Sequence, residues 1–148
     1  MRILLLSLFF ACTNNQNYLK YMNENKKLLI VNNIESIDEL KWYYRPIVIS
    51  GHKNVNNLIF QYSIDLQDRD IILINFDKGK CFIENQTMNE KFNQSVKTLL
   101  NNHLNGIYLI GRDGELKQSY TLDVNFSKIF SDIDKMYMRK QEIKNKIH

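Results

Sequence analysis

Three short apolar runs constrain the fold of this chain more strongly than any other feature of its sequence. Residues 47–50, 70–76 and 107–110 are rich in isoleucine, leucine and valine, as expected of strands buried in a sheet. Stretches in which apolar residues recur at helical spacing separate these runs. Because strands that alternate with helices pair in parallel through crossover connections, the sequence predicts an α/β domain with a central sheet.

The helices are marked by a cap and by apolar spacing. Ser36 and Glu39 stand at capping-box positions and predict a short helix that runs to about Tyr43. The apolar residues that define the later helices are Leu58, Ile59, Tyr62 and Leu66, then Phe92, Val96, Leu99 and Leu100 within 89–102, and finally Val124, Ile129, Ile133 and Met136. A length of 148 residues suits one such domain.

A β-hairpin is predicted in the last third of the chain. The run at 107–110 leads into Asp113-Gly114, a dipeptide that tolerates the positive φ angles of a type I′ turn, and an alternating segment then continues to Tyr120. The predicted order of elements is β-α-β-α-β-β-α, which is the order of a thioredoxin core. The expected fold is therefore thioredoxin-like, with a central mixed sheet, a C-terminal hairpin and flanking helices.

The N-terminal segment predicts export. An apolar run at 3–10 follows Met1-Arg2 and is too short to span a bilayer, which is typical of a signal peptide over residues 1–11. Phe9-Phe10-Ala11-Cys12 resembles a bacterial lipobox, in which Cys12 would be lipidated and would anchor the protein to the membrane. Residues 12–25 are polar and would form a tether.

Two other interpretations of this segment remain open, a cleaved signal of a soluble exported protein and an uncleaved anchor or buried strand. Every interpretation except the buried strand places the protein in the bacterial cell envelope or outside the cell. The net charge of +4 does not favour nucleic acid as a partner, because the 20 basic and 16 acidic residues are interspersed.

Four motifs in the same order resemble the DUF4174 family, a domain of unknown function. They are Leu40-Lys41-Trp42-Tyr43-Tyr44-Arg45-Pro46, Asp68-Arg69-Asp70, Gly111-Arg112-Asp113-Gly114 and Met136-Tyr137-Met138-Arg139, in which Tyr137 replaces the usual proline. The resemblance implies a thioredoxin-like or peroxiredoxin-like domain over 26–142, of a kind also found in extracellular sushi-repeat proteins, followed by a basic tail over 143–148. The motif residues to which it gives weight are Trp42, Arg45, Arg69, Asp70, Gly111, Asp113, Gly114 and Arg139.

The position that carries redox chemistry in thioredoxin-like folds holds no cysteine in this chain. The loop after the first core strand reads Gly51-His52-Lys53, and Gly106 stands where thioredoxins have a proline. His52 is either an exposed loop residue or part of an anion site. The three histidines lack metal-ligand spacing, so we expect neither a metal nor a cofactor.

Cys81 and the arginines each allow two interpretations. Cys81 is either a small core residue or a thiol activated by nearby lysines. Arg45, Arg69 and Arg139 either pair with carboxylates or form an anion-binding patch. The acceptors expected for such pairing are Asp65, Asp68, Asp70 and Asp134.

Two functions follow from these features. The first is an exported, lipid-anchored and non-catalytic thioredoxin-like module that binds an envelope protein or a small ligand. The second is an unconventional thiol-dependent reductase or peroxidase-like enzyme that uses Cys81. The two differ in whether Cys81 is exposed.

Overall fold

The computed structural model describes residues 34–51, 54–101, 103 and 105–147. The signal peptide, Cys12, the tether, and the loop residues His52 and Lys53 lie outside the described residues. The strands are β1 (Arg45–Ser50), β2 (Ile71–Asp77), β3 (Lys80–Ile83), β4 (Gln86–Thr87), β5 (Gly106–Ile110) and β6 (Leu116–Tyr120). The helices are a 3₁₀ helix (Ile37–Leu40), α1 (Val55–Gln61), α2 (Ser63–Asp68), α3 (Glu90–Leu99), α4 (Phe126–Asp134) and α5 (Tyr137–Ile147).

The described strands form one six-stranded sheet in the order β4-β3-β2-β1-β5-β6. Strand β1 pairs in parallel with β2, so that Arg45 lies opposite Ile71, and it pairs in antiparallel with β5 on its other side. The remaining pairs are antiparallel. The predicted α/β class, the mixed sheet and the C-terminal β5–β6 hairpin are confirmed.

Helices cover both faces of the sheet, because side chains alternate in direction along each strand. On one face, Ile47 and Ile49 of β1 pack in a buried cluster with Val55 of α1, Leu66 of α2 and Phe126 of α4. On the other face, α3 packs against β3 and against the 3₁₀ helix. The sheet therefore lies between two layers of helices, and its edges carry the polar sites described below.

Strands β3 and β4 were not predicted. The turn Lys78-Gly79 has φ angles of 49° and 77°, as in a type I′ hairpin, and joins β2 to β3. Cys81, which follows the second strand in sequence, therefore lies within a strand of its own. These strands have only four and two residues, and they are held by pairing, β3 with β2 and β4 with β3, rather than by an apolar run.

Three further details differ from the predictions. Asp113 does not have the positive φ of a type I′ turn, because the β5–β6 connection is a turn closed by Gly114 N–H donating to the Gly111 carbonyl, with only Gly114 left-handed (φ +82°). The helix predicted around Tyr62 is divided there into α1 and α2. The final helix is also two helices, and α5 includes residues 143–147 of the expected basic tail.

Candidate functional site

The edge of the sheet formed by the carboxyl ends of β1 and β2 is where open α/β sheets generally bind ligands. Ser50 at the end of β1 lies opposite Gly106, so the two glycines of the predicted active-site-equivalent loop, Gly51 and Gly106, come close together. Gly51 is left-handed (φ +95°), and a Cβ atom there would lie 3.2 Å from a methyl carbon of Leu122. The backbone at Gly51 is therefore closely packed.

A cleft of about 290 Å³ opens at this edge, beside the loop. Three parts of the chain form it, namely the start of α1, the end of β2 and the β3–β4 hairpin. The lining residues are Asn54, Val55, Asn56, Asn75, Asp77, Phe82, Glu84 and Asn85. Its size is at the lower end of the range for small-molecule pockets.

Asn75 lines the cleft and carries a buried, unpaired acceptor. It is the one amide in β2, and it lies opposite Phe82 of β3 on the face of the sheet that α1 covers. Its side-chain oxygen is buried and has no hydrogen-bond partner within the described residues. Such a group costs about 1–3 kcal/mol of stability, which is unusual in a native protein and calls for an explanation.

Glu84 is the second unusual group in the cleft. It stands in the β3–β4 turn with a left-handed backbone (φ 56°), a conformation that glutamate rarely adopts. Burial raises the pKa of its carboxyl group to about 8. No described residue offers that carboxyl group a hydrogen bond or an ion pair. A carboxyl group with a perturbed pKa in a cleft is a feature of functional sites.

An amide pair bridges the cleft. Asn56 Nδ2 at the start of α1 donates a hydrogen bond of 2.9 Å to Asn85 Oδ1 in the β3–β4 turn. Both side chains are near the surface, so this bridge can open without exposing the core. Among the described lining residues there is no lysine or arginine.

Cys81 lies on the opposite face of the sheet from the cleft. Its side chain is 0% exposed, and burial raises its pKa to about 12. Its backbone N–H donates a hydrogen bond of 2.8 Å to Asn93 Oδ1 of α3. A reactive thiol needs exposure and a lowered pKa, so the structure contradicts the interpretation of Cys81 as an activated thiol.

The amino-end edge of the sheet carries a network of buried arginines. The side chain of Arg45 is 1% exposed, and its guanidinium donates to Glu142 Oε1 at 2.7 Å and to the Arg69 carbonyl at 2.8 Å. Arg112 donates to the same Glu142 oxygen at 2.6 Å. Burial alone would raise the pKa of Glu142, but the hydrogen bonds from Arg45 and Arg112 outweigh it and lower that pKa.

The network continues through the two remaining arginines of the family motifs. Arg69 makes a bidentate contact with Asp134 at 3.0 and 2.8 Å and a further contact with Asp65 at 3.0 Å. Arg139 is 3% exposed and contacts both Asp134 and Asp68. These guanidinium groups are engaged by carboxylates, so the structure does not present them as an anion-binding patch.

The other motif residues surround this network. Asp70, at the start of β2, lies 3.8 Å from Arg112, and the Trp42 carbonyl accepts a hydrogen bond from the same arginine. Gly111 and Gly114 bound the β5–β6 turn, and a Cβ atom on Gly114 would meet the side chain of Lys41 at 2.1 Å. The motif residues therefore hold helix α5 and the turn against the sheet.

Within the described residues, no group of three histidine, cysteine, aspartate or glutamate side chains is arranged to hold a metal ion. None of the helices that the structure describes is both long and apolar enough to cross a bilayer.

Comparison with known proteins identifies the family. A family model described as a domain of unknown function, DUF4174, matches residues 36–142. The chain belongs to the DUF4174 family. No curated protein and no solved structure matches the chain. The matched range begins at the cap of the 3₁₀ helix and ends at Glu142, so it contains both the cleft and the arginine network.

Sequence reasoning did not identify Asn75 or Glu84 as site residues. The signal for Asn75 was present, because it is a polar residue within the apolar run at 70–76. Glu84 had no comparable signal, since it entered the site through a hairpin too short to be recognised from its sequence. Gly51 and Gly106 were predicted to lie at the functional edge, and the structure places them together there.

Proposed function

We propose that this DUF4174 protein is an exported, lipid-anchored and non-catalytic module that binds a ligand in the cleft between α1 and the β3–β4 hairpin. The fold that carries the cleft is, in this proposal, thioredoxin-like. Apart from the β3–β4 hairpin, the elements run β-α-β-α-β-β-α, with the first two strands parallel and the last two forming a hairpin. This order supports the proposed fold.

The observation that carries the binding role is the buried and unpaired oxygen of Asn75. An apolar residue at this position in β2 would avoid the cost of that acceptor, so the asparagine is poorly explained by folding alone. Rotation of the Asn75 side chain would bring this oxygen to a donor on a ligand in the cleft. Against the alternative of a thiol-dependent enzyme stands Cys81, whose thiol is buried and has a raised pKa.

The binding role is tested with the variant Asn75→Leu. Leucine has the branched shape of asparagine but is larger, and the cleft beside position 75 gives it room. It leaves no described partner unpaired, so we expect the variant to fold and to be no less stable than the parent protein. Its free energy of unfolding is measured in urea. A substantial loss of stability would show that the Asn75 oxygen serves the fold, and the binding role would have to be abandoned.

The proposed anchor is supported by the lipobox-like Phe9-Phe10-Ala11-Cys12 and by the polar segment that follows it. It is tested by expressing the full chain in a bacterial host with a clickable fatty acid. Labelled protein in the membrane fraction, absent in Cys12→Ser, is the expected result. Unlabelled protein in the culture medium would show that the segment is a cleaved export signal and not a lipid anchor.

A further inference from the structure

The cleft contains acceptor groups that no described residue pairs by a hydrogen bond or an ion pair. The groups concerned are the Asn75 oxygen, the Glu84 carboxyl group and the Asp77 carboxylate. No lysine or arginine is present among the described lining residues. We propose that the cleft binds a cationic nitrogen group, an ammonium or guanidinium on a side-chain-sized ligand. This inference rests on the proposed binding function and specifies its ligand.

The acceptors match such a group in number and type. An ammonium has three N–H donors and a guanidinium has five, whereas a neutral hydroxyl has one. With the Asn75 amide rotated toward the cleft, a cation would hydrogen-bond its oxygen and pair with ionised Glu84 at the same time. Hydrogen bonds of this kind to charged groups are roughly twice as strong as neutral ones. An anionic ligand would instead meet the Asp77 carboxylate with like charge and would oppose the ionisation of Glu84.

Phe82 supplies the apolar wall of the cleft. It is half-buried and lies directly opposite Asn75 across the β2–β3 pair. Aromatic faces attract ammonium and guanidinium groups, and they also pack against the aliphatic stem that carries such a group. The cleft volume of about 290 Å³ can hold one lysine- or arginine-sized moiety.

The described surroundings of Glu84 offer no positive group to pair with its ionised form. Helix α1 has no charged residue, and β4 has none. Strand β2 brings only Asp77 to the cleft, and the lysines of the neighbouring turn, Lys78 and Lys80, are exposed and do not line it. A bound cation would be the first positive group to face Glu84 among the described residues.

The pH dependence of binding follows from this arrangement. In the free protein Glu84 holds its proton until about pH 8. A cation favours the ionised carboxylate, so binding releases one proton below that pH. The affinity should therefore rise with pH, by about tenfold per unit between pH 6 and 8 and little above that range.

The experiment uses the whole chain in detergent micelles. The two cationic probes are Nα-acetyl-arginine amide and Nα-acetyl-lysine amide, which keep their side-chain charges. N-acetyl-citrulline amide is the neutral analogue of the first, and N-acetylglucosamine tests a saccharide ligand. Binding is followed by NMR through the side-chain amide signals of Asn75, Asn56 and Asn85 at pH 6, 7 and 8. We expect both cations to shift these signals, with dissociation constants that fall as the pH rises.

Glu84→Gln is expected to weaken cation binding at pH 8 by at least tenfold and to remove its pH dependence. The control is Glu115→Gln, which removes an exposed carboxylate in the β5–β6 turn. It should change neither the dissociation constant of the cation nor the dependence of that constant on pH. Citrulline binding equal to arginine binding, or cation binding that is independent of pH, would overturn the inference. A saccharide that shifts the cleft signals where the cations do not would overturn it too, while the binding function would stand. The binding function itself would fail if Asn75→Leu were substantially less stable than the parent protein.

Discussion

Arg45 is a buried charge whose carboxylate partner among the described residues is Glu142. Loss of one member of a buried pair leaves an unpaired charge, which costs far more than the loss of an exposed pair. Glu142→Ala should therefore lower the free energy of unfolding by about 3 kcal/mol. Lys144→Ala, exposed on the same helix, should change it by less than about 0.5 kcal/mol. The free energies of unfolding of both variants are measured in urea. Equal values would show that the Arg45–Glu142 pair does not stabilise the fold.

Glu84 should make the free protein less stable as the pH rises. Its pKa is about 8 in the folded protein and ~4.3 in an unfolded chain. Between these values the unfolded state binds fewer protons than the folded state, so stability falls with increasing pH. Glu84→Gln should then match the parent protein near pH 4 and exceed its stability at pH 9.

Unfolding by urea at the two pH values tests this prediction. The arginine-paired carboxylates behave in the opposite way, because their pKa values are lowered, and their contribution is lost as the pH falls below about 4. The parent protein and Glu84→Gln share that loss, so it cancels when their free energies of unfolding are compared. A stability difference that is the same at pH 4 and at pH 9 would mean that the Glu84 pKa is not raised.

An aromatic cluster joins the helices on one face of the sheet. Tyr62, at the break between α1 and α2, stacks on Phe126 of α4 with ring centres 5.4 Å apart, and Phe130 packs edge-on against both rings. The break between the two helices thus coincides with a packing contact. Neither helix would bury enough apolar surface to be stable alone, since they have seven and six residues.

Removal of one ring from this cluster should be costly. Phe126→Ala is expected to lower the free energy of unfolding by about 3–5 kcal/mol, because it leaves a cavity among α1, α2 and α4. Phe60→Ala, whose ring is 89% exposed on α1, is the matched control and should be nearly neutral. Both are measured by urea unfolding with far-UV circular dichroism. Similar losses for the two variants would contradict the packing described here.

The molecule shows which parts of a fold the sequence can predict. Strands β1, β2 and β5 were predicted because each is a continuous apolar run, and the capping box at Ser36 is confirmed by the hydrogen bond from Asp38 N–H to its hydroxyl. Strands β3 and β4 were missed because pairing determines them, β3 with β2 and β4 with β3. Predictions from local pattern fail where a distant partner decides the structure.

The same distinction applies to the sites. Asp65, Asp68, Asp70 and Asp134 were expected as arginine partners, and all four lie in the network. Glu142 was not expected, since it is 97 positions from Arg45 in the chain. The cleft brings together α1, β2 and a hairpin, so no single segment carried a pattern that would predict it.

The measurement that tests this account most directly is the stability of two matched asparagine variants. Asn93 Oδ1 accepts the Cys81 N–H within the core, whereas Asn75 Oδ1 has no partner among the described residues. Asn93→Leu should therefore lower the free energy of unfolding in urea by about 2 kcal/mol, and Asn75→Leu should leave it unchanged or raise it by about 1 kcal/mol. Equal losses for the two variants would mean that Asn75 is structural, and the cleft would no longer be supported as a binding site.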